Sequence, residues 1–375
     1  MNITILSNRD LASNYALNHL LPALSDHRLC VFLSSHVGKT GNAPQGLRDL
    51  KFIEQSLFNQ LLSPLLAQPL GQSRHLSQQQ SQLLSQHLSQ HLSQQQSQEQ
   101  SQEQSQHQSQ HQSQHQSQHQ SQHQSQDRSQ SEHKDQKLTG DGSAARGDVL
   151  HSKAIRDKAI RDKAIRDAGG SGKAIKLLSF EALGASLAEP ITELNDINTA
   201  AGLARLKASE PDLIISIRYG MILKAAAISV PSQGVINLHS GLLPAYRGVM
   251  ASFWALLNGE RQLGTTLHYI EDAGIDTGRV IDTTSLSVNP DQSYLWHVLN
   301  LYPSGCELIA ATVARLHDNE QIVTHAQPQG GHYYTFPGAS DLARFSESGL
   351  TLFDGDELVA FLQRYLTPEY APITR

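Results

Sequence analysis

Cysteine is nearly absent: Cys30 and Cys306 are the only two among 375 residues. They lie far apart and show no metal-ligand spacing, so a disulfide framework is excluded and a reducing compartment is expected. Long apolar runs are lacking as well, since nothing approaches the roughly 20 residues that a membrane span needs. The opening MNITILSNRD has neither the basic start nor the extended apolar stretch of a secretory signal. A basic surplus is also missing. Lys and Arg number 29 against 35 Asp and Glu, a formal charge of −6. That balance argues against a general nucleic-acid or anionic-membrane binder, which needs a basic surface. These absences predict a soluble, cytoplasmic protein with no membrane partner.

A large part of the middle is not foldable sequence. From Ser73 to Gln136 it is almost entirely Ser, Gln and His, in units such as SQHQSQHQ. Such a tract has too little apolar surface to offset the entropy of ordering it. The perfect repeat KAIRDKAIRDKAIRD then spans Lys153 to Asp167. Its period matches neither helix nor strand, so Ile155, Ile160 and Ile165 spread around a helix instead of forming a stripe. Gly169 to Gly172 close the segment as a flexible joint. His107, His111, His115, His119 and His123 would line one face if the tract were helical, which invites a metal reading. Ser-Gln repeats are poor helix formers, and a repeat tolerated in a surface loop is the plainer reading, because closure entropy grows slowly with loop length. The expected organisation is a catalytic domain over 1–66 and 174–290, a disordered insert over 67–173, and a small α+β extension over 291–375.

The remainder alternates strands and helices. Strands are expected at Asn2 to Ser7, Arg28 to Ser34, Ile191 to Leu194, Asp212 to Ile217, Gly234 to His239 and Gly264 to Ile270. Helices are expected at Leu11 to Leu24, Leu47 to Leu66 and Asn198 to Ser209, with helical or mixed structure over Ala174 to Ala185. DLIISI is apolar throughout, as in strands buried on both faces. The pattern predicts an α/β fold with a Rossmann-like, doubly wound, mostly parallel sheet. ILSNRDLAS after the first strand has no G-x-G-x-x-G, so the dinucleotide fingerprint is absent. Ligands of open α/β sheets sit at the carboxyl ends of the strands. The candidate site is therefore sought in the residues after DLIISI and at the end of GVINLH.

Asn237 and His239 stand two apart at a strand end, so both side chains leave one face. A Gly-Leu-Leu-Pro turn, Arg247-Gly248, a helix and the glycine-bordered acidic loop DAGIDTG come next, the last carrying Asp276. Amide, imidazole and carboxylate fit acyl transfer to an amine without a covalent enzyme intermediate. The amide can donate to a developing oxyanion. The imidazole can share that task or protonate the leaving nitrogen, and the carboxylate can orient the His and accept the amine proton. Taken singly, each has a structural reading: a satisfied strand-end polar group for Asn237 or His239, a turn for Asp276. His268 in TTLHYIED reads as a histidine pointing into the sheet environment, with help to the nearby active loop as the alternative.

INLHSGLLPAYRG together with GTTLHYIEDAGIDTGRVI resembles the catalytic core of the folate-dependent formyltransferases. That family includes methionyl-tRNA, glycinamide ribonucleotide and amino-sugar N-formyltransferases. The resemblance implies the formyltransferase fold, 10-formyltetrahydrofolate as co-substrate with no metal, and Asn237, His239 and Asp276 as the catalytic trio. SIRYGMIL is similar to the family's pterin-carrying segment. It implies folate contacts at Tyr219, Gly220, Met221, Ile222 and Leu223, with Glu271, Asp272, Gly274 and Ile275 on the other side. Arg247 would steady the loop or the acceptor, and Ser240 is a candidate acceptor contact beside a plain turn reading.

Residues 291–375 hold four Arg, no Lys and ten acidic residues. An acidic surface repels phosphate, so the expected partner is a small-molecule amine and nucleic acid is disfavoured. The oligomeric state is not legible. A helix over Tyr294 to Leu316, a strand over Gln321 to Ala326 and a helix over Glu357 to Tyr365 are expected there. Between them Tyr333, Tyr334 and Phe336 either cover the acceptor pocket or dock the tail on the core. Three readings compete with small-amine transfer: methionyl-tRNA formylation, formyltetrahydrofolate hydrolysis, and a non-catalytic folate- or partner-binding protein.

Overall fold

A computed structural model of the chain describes residues 1–35, 43–62, 86 and 177–366. Apart from Gln86, the insert 67–173 lies outside the described residues, as do 174–176 and the end of the expected helix at 63–66. All described residues except Gln86 belong to one unit, Met1–Ser85 with Lys176–Tyr370.

The centre is a seven-stranded sheet. Strand β1 (Asn2–Asn8) pairs in parallel with β2 (Arg28–Ser34) on one side and β4 (Leu213–Ile217) on the other. Outward from β2 lies β3 (Thr192–Glu193), and outward from β4 lies β5 (Val235–His239), both parallel. Two antiparallel strands, β8 (Thr266–Tyr269) and β9 (Val280–Thr283), finish the order β3-β2-β1-β4-β5-β8-β9. This is the mostly parallel, Rossmann-like sheet that alternating apolar strands predict. Every residue of β4 is buried, as a central strand covered on both faces requires. The order of strand succession reverses at β1, from β1-β2-β3 on one side to β4-β5 on the other, so the carboxyl ends of β1, β4 and β5 border one crevice.

Helix α1 (Leu11–Ala23) starts where Asp10 accepts a hydrogen bond from Ser13 N–H at 2.7 Å. Helix α2 (Gln45–Lys51) runs into a π-helical stretch, Phe52–Leu62. After it come α3 (Phe180–Ala185), α4 (Ala200–Ala208, capped by Thr199), α5 (Ala225–Ile228) and α6 (Ala251–Leu257). Short strands β6 (Tyr246–Gly248), β7 (Gln262–Leu263) and β10 (Leu286–Ser287) flank β8 and β9. Helix α7 (Tyr294–His317) begins at the Ser293 cap and packs along α1, where the Cys306 thiol donates to the Ala16 carbonyl. No described helix is long and apolar enough to cross a membrane.

One expected element does not form. Residues 321–326 make no strand; only His325 bridges to Val280, through both backbone hydrogen bonds at 2.8 Å. Beyond that bridge the segment does not pair with β9, and Val323 stays exposed. Pairing occurs later, where β11 (His332–Tyr334) lies parallel to β6. Helices α8 (Ala339–Glu347) and α9 (Gly355–Leu366) complete the described chain.

Candidate active site

Strand β5 delivers Asn237 and His239 to one face, and the antiparallel register places His268 of β8 directly opposite Asn237. Paired side chains in that position share a face at close range. Asn237 Nδ2 lies 3.1 Å from His268 Nε2. His268 Nδ1 faces the Tyr269 carbonyl at 2.9 Å and donates its hydrogen there, and in that tautomer Nε2 accepts from Asn237. The ring is buried between the strands.

Asp276 enters from the loop between β8 and β9 with a left-handed φ of 54°. Its Oδ2 accepts the Gly248 N–H at 2.8 Å and lies 3.5 Å from His239 Nδ1. Its Oδ1 lies 3.4 Å from His268 Nε2. His239 Nε2 donates to the Tyr246 carbonyl at 2.6 Å, which fixes that proton and turns the Nδ1 edge to Asp276. Burial works against the Asp276 charge. The His239 ring, the neighbouring His268 ring and the Gly248 hydrogen bond outweigh it and hold the carboxyl at about 2, below its ordinary 3.8. A carboxylate depressed in the folded state stabilises the fold above its unfolded value, and that stability is lost as pH falls through the folded one. Acid titration is therefore expected to remove about 2 kcal/mol between about pH 4 and pH 2. Asp276→Asn should abolish that step in a pH series of urea midpoints.

Gln327 holds the acidic loop in place. Its Nε2 donates to the carbonyls of Asp276 and Gly278, both at 2.8 Å, while its Oε1 accepts from Arg247 Nε and Nη2 at 3.3 and 3.0 Å. Gly278 allows the close approach, because a Cβ there would fall 1.8 Å from the Tyr269 carbonyl oxygen.

These groups open into a cavity of about 710 Å³ at the carboxyl ends of β1, β4 and β5. Asn237, His239, Asp276 and His268 all line it. So do all five residues from Tyr219 to Leu223, together with Asp272, Gly274, Ile275 and Ser240. Asn8 Oδ1 accepts the Gly220 N–H at 3.0 Å and Asn198 Nδ2 donates to the Ile222 carbonyl at 2.8 Å, which pins the 219–223 segment. Glu271 and Arg247 do not line the cavity. Glu271 pairs with Arg279 on the surface at 2.9 Å, and Arg247 is spent on Gln327. The aromatic tail segment both docks and covers. Tyr334 stacks on Trp254 and Tyr246 and anchors the strand, whereas Tyr333 and Phe336 face the cavity, about half exposed.

The Formyl transferase family model matches residues 175–295, the stretch holding Asn237, His239, His268 and Asp276. That stretch is similar to formyl transferases. It is 38% identical over 118 residues to a methionyl-tRNA formyltransferase of Synechococcus sp. (strain JA-3-3Ab), covering 32% of this chain and 36% of that protein. It is 32% identical over 162 residues to the methionyl-tRNA formyltransferase of Thermodesulfovibrio yellowstonii, covering 43% of this chain and 51% of the relative. The chain thus spans about a third to a half of the length of such curated relatives. Among solved structures it is similar to an N-formyltransferase of Helicobacter canadensis in complex with folinic acid and dTDP-3-aminofucose, at 28% identity, with coverage of 34% and 45% and a TM-score of 0.30. It is also similar to the formyltransferase PseJ of Anoxybacillus kamchatkensis, at 24% identity, with coverage of 48% and 89% and a TM-score of 0.35.

Proposed function

We propose that the chain transfers the formyl group of 10-formyltetrahydrofolate to a primary amine of a small molecule, such as an amino sugar or a modified amino acid. The observation that carries this reading is the convergence of Asn237, His239, Asp276 and His268 in one cavity, all four from the stretch similar to formyl transferases. The cavity suits a folate. Its volume lies in the range of small-molecule sites, and its walls combine apolar Met221, Leu223, Ile270 and Ile275 with backbone polar groups of 219–223 and 272–276. Tyr219 to Leu223 and Asp272, Gly274 and Ile275 would hold it. Glu271 would support the loop from outside through Arg279.

The folate supplies the formyl carbon and a nitrogen leaving group. A carbon–nitrogen bond forms to the acceptor amine, the bond to folate N10 breaks, and the proton lost by the amine is replaced at N10. Asn237 has one amide hydrogen committed to His268 and one left for the carbonyl oxygen as it gains charge. His239 presents Nδ1 to the same space and passes a proton to the departing nitrogen. Asp276 balances the imidazolium and takes the amine proton through water.

The names of the curated relatives favour a second acceptor, methionyl-tRNA. The excess of acidic over basic residues in 291–375 favours a small amine instead. Incubating the protein and 10-formyltetrahydrofolate with candidate amines, with initiator methionyl-tRNA, and with water alone tests the three outcomes by folate absorbance and product mass. A formamide of a small amine is expected. Formylated tRNA would move the acceptor, and formate released at full rate without any amine would make the chain a hydrolase.

A further inference from the structure

A second charged cluster lines the same cavity and takes no part in the transfer scheme. Arg218 follows β4 with a left-handed φ of 58°. Its Nε and Nη2 donate to Asp10 Oδ2 at 3.3 and 3.2 Å, and Nη2 donates to Glu54 Oε1 at 3.0 Å. Its Nη1 reaches the Tyr302 hydroxyl at 3.4 Å. The other oxygen of Asp10 caps α1. Glu54 projects from the π-helical stretch, an irregularity frequent at functional sites. Side-chain exposure is 2% for Asp10, 13% for Glu54 and 20% for Arg218. Two buried carboxylates thus share one guanidinium. The phenols of Tyr294 and Tyr302, pushed up by burial, stay neutral.

Among the described residues this unit carries a formal charge of −1, and a buried uncompensated charge is unfavourable. Burial pushes the Glu54 carboxyl up to about 7, with Arg218 lowering and Asp10 raising it, so a proton can relieve the imbalance. Arg48 and Lys51 of α2 also line the cavity, but the Arg48 guanidinium is engaged by the Ala43 carbonyl and the Gln45 side chain, and the charges that act on Glu54 are those of Arg218 and Asp10. An anionic ligand would add to the surplus and a neutral one would leave it in place. A cation removes it.

We propose that Glu54, held by Arg218 and backed by Asp10, receives a second, cationic nitrogen of the acceptor, so that the acceptor is an amine with a further ammonium group distant from the nitrogen that is formylated. The inference rests on the formyl-transfer reading, since Glu54 and the Asn237–His239–Asp276 group share one cavity.

Binding of α,ω-diamines from 1,3-diaminopropane to 1,6-diaminohexane to the full chain, each against its matching amino alcohol, tests it by calorimetry. At about pH 8 at least one diamine is expected to bind about tenfold or more tightly than its amino alcohol. The preference should vanish in Glu54→Gln, which keeps the shape and removes the charge, and persist in Glu54→Asp. It should also shrink in the wild type at about pH 5.5, where Glu54 holds its proton; this comparison stands even if Glu54→Gln does not fold. Diamines that bind no better than amino alcohols, no detectable binding of either, or a preference that survives Glu54→Gln would overturn the proposal. Failure of the underlying reading looks different: 10-formyltetrahydrofolate would not turn over with any amine, whatever the diamines do.

Discussion

Asp276→Asn is expected to lower kcat/KM for formyl transfer about 10^3-fold, the middle of the range for a positioned acid–base group. The substitution keeps the shape of the side chain, and its remaining oxygen can still accept the Gly248 N–H that Asp276 Oδ2 accepts at 2.8 Å. What disappears is charge. His239 Nδ1, 3.5 Å away, loses the anion that balances its protonated form, and the attacking amine loses its proton acceptor. Because both roles arise along the reaction and not in the resting complex, the loss should fall on kcat, with folate affinity little changed. Removing the carboxylate also removes the acid-sensitive increment of stability, so the thermal midpoint should drop by roughly 4–8 °C. Calorimetry and steady-state kinetics on the same preparation separate the two effects. Activity of the Asp276→Asn variant within about threefold of wild type would mean that the amine proton leaves by another route.

The parts of the site that were legible in the sequence are those that the chain brings together locally. Asn237 and His239 share a face because strand side chains alternate, and Asp276 sits in a loop whose glycines mark it as a turn. His268 reads as a sheet residue because its role depends on strand register, and alternation within one strand says nothing about what lies across. The bridge at His239–Tyr246 was hidden likewise, since its acceptor is a backbone carbonyl. Gln327 carries no signal of its own: it is an ordinary polar residue 51 positions from the loop carbonyl it supports. The Asp10–Glu54–Arg218 unit joins three segments, with the whole insert between Glu54 and Arg218, so only the fold can assemble it. Order within the sheet was readable as a class from apolar β4, yet the antiparallel pair β8 and β9 was not, because alternation does not encode direction. Tyr333 and Tyr334 illustrate the same limit at one-residue resolution: adjacent strand residues point oppositely, one to the cavity and one to the stack on Trp254.

Asn237→Ala is expected to reduce kcat by about 10^2- to 10^3-fold, the loss typical of one oxyanion donor. The size of the loss depends on how the amide is held. In the tautomer whose Nδ1–H donates to the Tyr269 carbonyl, His268 Nε2 accepts and fixes the Asn237 amide with one hydrogen inward and one free. A donor fixed beforehand needs no reorganisation when the oxygen gains charge, which is why it acts on the transition state more than on bound substrate. The Ala variant loses that donor and leaves His268 Nε2, 3.4 Å from Asp276 Oδ1, without its partner. Asn237→Ala and Asp276→Asn should therefore combine less than additively, since each disturbs the same hydrogen-bonded unit. The pH profile distinguishes their roles: the Asp276 variant should lose the dependence set by the His239–Asp276 pair, while the Asn237 variant should keep its shape at lower height. If Asn237→Ala left kcat intact and raised only the KM for the acceptor, the amide would be a binding contact, and stabilisation of the oxyanion would fall to His239 alone.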